Sequence, residues 1–445
     1  MQTSSSVPAS DPNDRHATVS VHGENKHAVA PGDIAVGVVI GRASEYFDFF
    51  VYGIASALVF PRVFFPFLEP LQATLWSFAI FALAFIARPL GTVLFMWIQR
   101  RWDRSTKLTA ALFLLGTATA GIAFLPGYER IGALSIGLLA LFRVLQGVAL
   151  GGSWDGLPSL LALNAPEERR GHYAMLGQLG APAGFIIAAA LFAYLLGNLN
   201  TDDFFGWGWR YPFFAAFALN VVALFARLRL VVTHEYVHEL DRNDLEPVPV
   251  GELLRAKGPN VAIGGFAALA SYALFHVVTI FPISWILLFT DEPVGQFLLL
   301  QVAGAFLAAG GVVASGWIAD RYGRIRTLSG FAAAIAVFSG FAPTLLTGGT
   351  VGKYAFVLLG FILLGLCYGQ AAGAVTVNFG ARYRYTGAAL TADMAWLIGA
   401  AFAPLVALWL CAKFGLAFVG AYLLSGAVCT VLALLANRKL KLLRN

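Results

Sequence analysis

The stretch GWIADRYGRIRTL, residues 316–328, places charges directly after a long run that has none. Residues 301–319 carry no charge. Four charged residues follow at once: Asp320, Arg321, Arg324 and Arg326. An apolar run of about 20 residues can cross a bilayer as a helix, and basic residues collect where such a helix leaves the membrane. The stretch therefore predicts the end of a transmembrane helix and the loop that follows it.

The composition of the whole chain also indicates a membrane protein. Hydrophobic residues make up 59% of the 445 residues and charged residues 12%, whereas a typical soluble domain has about 25% charged residues. The net charge of +6 comes from basic residues that stand in short clusters between apolar runs. This pattern favours membrane lipid as the surroundings of the chain and argues against a nucleic-acid partner.

The apolar runs are long and continuous, which predicts helices rather than the alternating strands of a membrane barrel. We predict an all-α integral membrane protein with twelve transmembrane helices: 34–58, 72–98, 108–126, 132–162, 173–197, 210–232, 260–289, 296–319, 328–347, 354–378, 387–411 and 415–437. The spans 34–58 and 132–162 contain ionisable residues, so hydropathy alone underestimates them.

The positions of lysine and arginine predict the orientation of these helices. If both termini lie on one side, that side holds 22 of the 30 basic residues, five lie opposite and three lie within spans. We therefore expect both termini in the cytoplasm and the chain in the cell inner membrane. Residues 1–33 have no aromatic residue and no apolar run, which predicts a disordered tail, and 438–445 predict a basic tail.

An echo of the opening stretch lies 220 residues earlier, in GTVLFMWIQRRWDRSTKL at 91–108. Five residues coincide at this offset: Gly91 with Gly311, Trp97 with Trp317, Arg101 with Arg321, Arg104 with Arg324 and Leu108 with Leu328. Each copy lies between the second and third of six spans, and equivalent loops on one side indicate parallel repeats. We therefore predict two six-helix halves, 34–232 and 260–437, joined by a polar cytoplasmic linker at 233–259.

Several motifs, taken in chain order, resemble a known transporter family. The opening stretch resembles the signature loop of the major facilitator superfamily, a glycine followed by Asp-Arg-x-Gly-Arg. Six further stretches resemble its metabolite:proton symporter family: GRASEYFDFFVYG (41–53), ARPLG (87–91), RVLQGVALGGSWDG (143–156), PEERRG (166–171), GWRYPF (208–213) and RYTGAAL (384–390). This resemblance implies the major facilitator fold and proton-driven uptake of small organic acids or zwitterions. We also expect a monomer.

The charges of the opening stretch suit a gate between the halves. Asp320 can accept hydrogen bonds from the N-terminal N–H groups of a neighbouring helix, and Arg321 and Arg324 can bind helix C-termini or acidic groups. Such contacts would stabilise one state of a rocking motion. The alternative is a fixed cluster of charges that only sets the orientation of the chain.

The first copy of the loop departs from the family pattern. Three positions differ: Arg100 replaces the acidic residue, Met96 a glycine and Asp103 the turn glycine. Arg101 and Arg104 remain gate candidates in this half. Either Arg100 or Arg101 pairs instead with Asp155, or the coupling of this half has diverged.

Ionisable residues within spans cost about 3 kcal/mol or more each and therefore indicate function. In the first span, four polar residues stand three or four positions apart on one helical stripe: Arg42, Glu45, Asp48 and Tyr52. Arg143 and Gln146 lie one turn apart in the fourth span, and the planar guanidinium of Arg143 suits a carboxylate. We predict a substrate site formed by Arg143, Gln146, Tyr52 and Arg42. The alternatives are a packing pair of Arg42 with Glu45, and an Arg143 that only neutralises a first-span acid.

Four side chains are candidates for carrying the proton: Asp48, Glu45, Asp393 and His276. Asp48 ranks first, because a substrate carboxylate bound to Arg143 would weaken the attraction of this arginine for the acid. Proton and anion would then favour each other's binding, as symport requires. Asp393 is alternatively the partner of a cytoplasmic arginine and His276 a hydrogen-bonded packing residue, while we interpret Arg88 as structural.

The sequence thus predicts a secondary active transporter that takes up a small organic acid or zwitterionic metabolite together with protons. The alternative is an exporter that exchanges a metabolite or toxic compound for protons. The sequence shows no nucleophile triad, metal cluster or phosphate-binding loop. We therefore expect neither an enzyme nor a bound metal or cofactor.

Overall fold

A computed structural model shows the chain as a bundle of long helices. It describes residues 31–153, 166–231, 246–371 and 379–442. We number the long helices in chain order: α1 (Pro31–Leu58), α2 (Pro70–Arg101), α3 (Arg104–Phe124), α4 (Ala133–Gly152), α5 (Arg170–Asn198), α6 (Tyr211–Val231), α7 (Val250–Phe289), α8 (Val294–Tyr322), α9 (Arg324–Thr347), α10 (Gly349–Ala371), α11 (Arg382–Phe414) and α12 (Ala417–Leu442). Short helices stand in three of the connections: Phe60–Phe64, Tyr128–Ile131 and Thr201–Gly206.

The helices have the length and composition of membrane spans. Within the described residues, eleven are long and apolar enough to cross a membrane. The remaining long helix is α1, whose 28 residues reach about 42 Å but include Arg42, Glu45 and Asp48. The predicted all-α membrane class is therefore confirmed, and α1 is the helix that hydropathy alone leaves out.

The helices pack in the same pairs in each half. In the first half α2 packs on α4, α3 on α6 and α1 on α5, and in the second half α8 packs on α10, α9 on α12 and α7 on α11. Glycine permits the closest crossings. A Cβ at Gly147 would collide with the carbonyl oxygen of Ala84, and one at Gly365 would collide with that of Ala308. The repeat in the sequence therefore corresponds to the same packing of helices in both halves.

Two helices that border the space between the halves are interrupted. α7 consists of three segments, Val250–Ala267, Leu269–Thr279 and Phe281–Phe289, and α11 contains a π-helical turn at Trp396–Ala400. Turns of this kind are frequent at functional sites. The π-helical turn of α11 packs on the middle segment of α7, because a Cβ at Gly399 would lie 2.7 Å from the Cβ of Tyr272.

Some helix boundaries differ from the predicted ones. α7 begins at Val250, within the predicted linker 233–259, and its backbone leaves helical geometry at Lys257 (φ −139°, ψ 18°), shortly before Pro259. Proline has no N–H to donate to the preceding turn, so the residues before it form a separate short helical segment at the start of α7. α12 continues through Leu442, past the predicted end of its span at 437. Residues 1–30, 232–245 and Asp155 lie outside the described part of the chain.

The two halves meet along seams between particular helices. α5 packs on α8, α2 packs on α11, and α1 meets α7. Consecutive helices alternate in direction, so α2 and α8 end where α5 and α11 begin. We call this side of the bundle the loop end, because both signature loops, at 102–103 and 323, lie there. Towards the opposite end, α1 and α7 approach closely, and a Cβ at Gly53 would lie 2.9 Å from the Ile280 side chain.

Candidate functional site

Two adjoining cavities lie between the halves, beside the interruption in α11. The larger has a volume of about 50 Å³ and the smaller about 30 Å³. Four residues line both cavities: Arg42, Tyr46, Arg88 and Trp396. The first three belong to the first half and Trp396 belongs to the second, so both halves build the candidate site.

Both cavities are small. A single water needs a cavity volume of about 10–15 Å³. Each cavity therefore accommodates a few waters and no metabolite. The hydroxyl groups of Tyr46 and Tyr368 are hydrogen-bonded to each other across the two halves. Tyr272 and Tyr368 add aromatic walls to the larger cavity. In this arrangement the space between the halves is therefore too small for a metabolite.

The predicted stripe of α1 divides between two environments. Arg42 Nη1 donates to Glu45 Oε2 at 2.9 Å, and both side chains line the smaller cavity. Asp48 and Tyr52, which are 3% and 0% exposed, lie among the packed helices of the first half and line neither cavity. The structure thus brings Arg42 and Glu45 to the cavity and places Asp48 and Tyr52 behind it.

A hydrogen-bonded chain inside the first half connects Asp48 with Arg143. Thr119 Oγ1 donates to Asp48 Oδ1 at 2.7 Å, and Gln146 Nε2 donates to Thr119 Oγ1 at 2.8 Å. Arg143 Nη1 donates to Gln146 Oε1 at 3.0 Å. All four side chains are buried. The sequence did not indicate Thr119, because a threonine in an apolar helix is ordinarily a packing residue.

Arg143 is a buried cation beside the smaller cavity. Arg143 is 1% exposed, and its Nε donates to the carbonyl oxygen of Phe81 at 3.1 Å. Its guanidinium lies 3.8 Å from the ring centroid of Tyr52, a favourable cation–π geometry. No carboxylate among the described residues forms an ion pair with it. A buried cation without a direct ion pair is costly, so this position favours an anion.

Asp393 of α11 pairs with Arg88 of α2 across the two halves. Arg88 Nε lies 2.7 Å from Asp393 Oδ1, and the hydroxyl of Thr92 donates to the other carboxylate oxygen. The sequence suggests a cytoplasmic arginine as the alternative partner of Asp393. The partner is instead Arg88, an arginine within a span that borders both cavities.

His276 of α7 is completely buried against the first half. Four phenylalanine rings surround it at centroid separations of 5.3 to 6.3 Å: Phe49, Phe81, Phe85 and Phe275. Neither ring nitrogen has a hydrogen-bond partner among the described residues. His276 therefore packs in an aromatic wall without the hydrogen bonds that the sequence interpretation expects of a buried histidine.

Asp320 at the end of α8 caps the start of α5. Its carboxylate oxygens accept from the backbone N–H groups of Gly171 at 2.5 Å and His172 at 3.1 Å. This is the kind of contact expected from the sequence, since the start of a helix attracts an anion. Arg324 Nη2 donates to the carbonyl oxygen of Arg170 at 3.2 Å. The second signature loop thus joins the two halves at the loop end.

The remaining gate arginines contribute differently. Arg321 is exposed, and its guanidinium lies 5.8 Å from the ring of Trp317 on its own helix. Arg101 is exposed and makes no hydrogen bond or ion pair within the described part of the chain. Arg104 lies 6.0 Å from the ring of Tyr385 in α11. Of these three, only Arg104 reaches towards the other half.

The departure at Asp103 has a structural reason. In the second half, Gly323 adopts a φ of 83°, in the region that favours glycine. Asp103 has an extended backbone with φ −161°, and its side chain accepts from the N–H of Thr106 at 2.5 Å as the N-cap of α3. The two loops therefore make the same connection with different backbone geometry.

Known proteins resemble the chain over most of its length. The family model of the Major Facilitator Superfamily matches residues 49–396. The inner membrane metabolite transport protein YhjE of Escherichia coli (strain K12) is 36% identical over 414 residues, which cover 91% of this chain and 94% of that protein. The shikimate transporter of the same organism is 31% identical over 412 residues, covering 90% of this chain and 93% of that protein.

The fold has close counterparts among solved structures. The crystal structure of a D-xylose-proton symporter superposes with a TM-score of 0.67 at 18% identity, covering 91% of this chain and 96% of that one. The relatives and the fold are those of transporters rather than enzymes. The family match spans more than half of the chain, and the fold and the repeated packing agree with it. The chain therefore belongs to the major facilitator superfamily of membrane transporters.

Proposed function

We propose that this transporter takes up a small carboxylate, an organic acid or a zwitterionic metabolite, together with protons. The similarity to a metabolite transport protein and to a shikimate transporter supports a small metabolite as the cargo. The fold supports alternating access as the mechanism, since the candidate site lies between the two halves.

The observation that carries this proposal is the buried cation of Arg143, which has no direct ion pair within the described part of the chain. Its guanidinium is buried beside a cavity and has no ion-pair partner among the described residues. Its hydrogen bonds to Phe81 and Gln146 fix the plane of the guanidinium, and Tyr52 covers one face. A planar fork held in this way suits a carboxylate. Arg42, which lines the same cavity, is a second contact for the anion.

In this proposal Asp48 carries the proton. Glu45 and Asp393 are each held by an arginine, and His276 has no hydrogen-bond partner among the described residues. Asp48 instead communicates with Arg143 through Thr119 and Gln146. A substrate carboxylate on Arg143 would neutralise the nearby cation and so favour protonation of Asp48. By thermodynamic linkage, protonation of Asp48 would equally favour binding of the carboxylate, as symport requires.

We further propose that the loop end faces the cytoplasm of a cell whose inner membrane holds the transporter as a monomer. The excess of basic residues on that side supports this orientation. A cysteine in place of the exposed Tyr322 tests it in intact cells. A membrane-impermeant maleimide should label this cysteine only after the cells are permeabilised, and labelling of intact cells would reverse the orientation.

Transport in vesicles of known sidedness tests the proposed function. We expect uphill accumulation of at least one member of a radiolabelled panel of carboxylates and zwitterions, shikimate included, under an inward proton gradient. A protonophore should abolish the accumulation. Expulsion of the compound under the same gradient would identify the exporter instead. Accumulation that persists without a proton gradient would contradict proton coupling.

A further inference from the structure

We propose that Lys107, rather than the signature loop that precedes it, forms the loop-end gate of the first half. Lys107 lies in the first turn of α3 and is 1% exposed. Its Nζ donates to Gln99 Oε1 of α2 at 3.1 Å and to the hydroxyl oxygen of Tyr385 of α11 at 2.9 Å. This inference concerns how the halves close and does not depend on the cargo or the direction of transport.

The three residues are hydrogen-bonded to one another, and we call them the Lys107 triangle. The hydroxyl of Tyr385 completes it by donating to Gln99 Oε1 at 3.1 Å. Bonds with an ionised donor are stronger than neutral ones, and Tyr385 is completely buried. Only Tyr385 belongs to the second half. Opening of the seam between α2 and α11 therefore breaks the hydrogen bonds that join Tyr385 to Gln99 and Lys107.

The position of the Lys107 triangle suits a gate. Tyr385 precedes Ala388, which lines the larger cavity, by about one helical turn. The triangle therefore lies between that cavity and the loop end. Asp393, which pairs with Arg88, follows Tyr385 by eight residues, or about 12 Å along α11. Among the described residues, the seam thus has a polar contact at the Lys107 triangle and a deeper one at Arg88, which borders the cavities.

The 220-residue offset between the halves explains why the first half has its gate at a different position from the second. It aligns Arg100 with Asp320, whose carboxylate accepts from backbone N–H groups of the other half. An arginine has no acceptor, so Arg100 cannot cap the start of α11 in the same way. Arg100 is exposed and makes no hydrogen bond or ion pair within the described part of the chain. The same offset aligns Lys107 with Thr327, whose hydroxyl donates to the carbonyl oxygen of Gly323, four residues earlier in its own half.

Distance measurements between spin labels test the gate without any substrate. Nitroxides are attached to cysteines that replace the exposed Thr106 on α3 and Arg382 on α11. The background carries Cys429→Ala, because the other native cysteines, Cys367 and Cys411, are buried. In the full chain in nanodiscs, pulsed electron–electron double resonance should show a short distance. Lys107→Met and Tyr385→Phe should each shift part of the population to a longer one.

Two further variants separate a gate from a merely structural role. Lys107→Arg keeps a cationic donor and should retain the short distance. Arg100→Gln alters the residue at the family's gate position and should leave the distribution unchanged. Tyr385→Phe removes a single oxygen, so it decides the question if Lys107→Met does not fold. Unchanged distances in both Lys107→Met and Tyr385→Phe would overturn the proposal, as would a parent protein without the short distance.

Discussion

Arg88 and Asp393 form an ion pair of 2.7 Å that joins the two halves of the transporter beside both cavities. The carboxylate is 2% exposed and also accepts from Thr92. Because the pair bridges α2 and α11, every opening of this seam separates the two charges. A buried pair of this kind contributes less to stability than its loss costs when one partner is removed.

The first prediction concerns this pair. Asp393→Asn or Arg88→Gln alone should lower the free energy of unfolding by about 3–5 kcal/mol, since each leaves a buried charge without its partner. The double variant should lose less than the sum of the two. Thermal unfolding of all three variants in the same detergent measures this coupling. Strictly additive losses would mean that the two side chains do not interact.

The second prediction concerns recognition of the anion. Arg143→Lys should raise the KM for a carboxylate substrate roughly ten- to hundredfold, because hydrogen bonds to a charged group contribute about 1.5–3 kcal/mol. The charge remains, but the planar fork is lost. Arg62→Lys, at the opposite end where Arg62 stacks on Phe205, is the matched control. Equal KM values for the two variants would remove Arg143 from the substrate site.

The third prediction concerns the proton. Asp48→Asn should abolish uphill accumulation yet preserve exchange of labelled for unlabelled substrate, because binding remains while the titratable group is gone. Thr119→Val should weaken the coupling, since the hydroxyl both donates to Asp48 and accepts from Gln146. Thr117→Val is its control, as Thr117 is exposed and donates to the carbonyl oxygen of Phe113 in its own helix. Proton-dependent accumulation by Asp48→Asn would transfer the role to Asp393 or His276.

The fourth prediction concerns closure of the α5/α8 seam. A Cβ at Gly171 would lie 2.7 Å from Asp320 Oδ1 and 2.7 Å from the carbonyl oxygen of Gly316. Gly171→Ala should therefore slow turnover while leaving substrate binding in place. Gly197→Ala, in the same helix with no atom within 4 Å of its Cβ, should transport at the parental rate. Transport rates in vesicles compare the two variants, and equal rates would restrict the loop to anchoring the chain.

The features that the sequence predicts well are those carried within one helix or one repeat. The long apolar runs indicate the helices, and the 220-residue echo indicates the repeated crossings, because both depend on neighbouring residues. Asp320 is also predictable, since its acceptor role needs only the start of some nearby helix. Arg42 and Glu45 stand three positions apart, so helix geometry alone brings them together.

The features that the sequence misses are contacts between helices that are distant in the chain. Arg88 and Asp393 are separated by 305 residues, and Lys107 and Tyr385 by 278. Helical periodicity indicates which face of its own helix a residue occupies, but not which residue of another helix it contacts. Asp393 therefore has several plausible arginine partners in the sequence, and Lys107 looks like an ordinary basic residue of a loop. Thr119 gains its role only from the meeting of α1, α3 and α4.

The difference between the two loop-end seams has a genetic consequence. At the α5/α8 seam, Asp320 binds main-chain N–H groups, which every residue except proline supplies. Most codon changes at His172 therefore leave this contact intact. At the α2/α11 seam, the Lys107 triangle consists of three side chains, and a single nucleotide change can remove any of them. Apart from Asp320 itself and the tightly packed Gly171, the α5/α8 contact is therefore expected to tolerate mutation of its partner residue, whereas the α2/α11 contact depends on all three of its side chains.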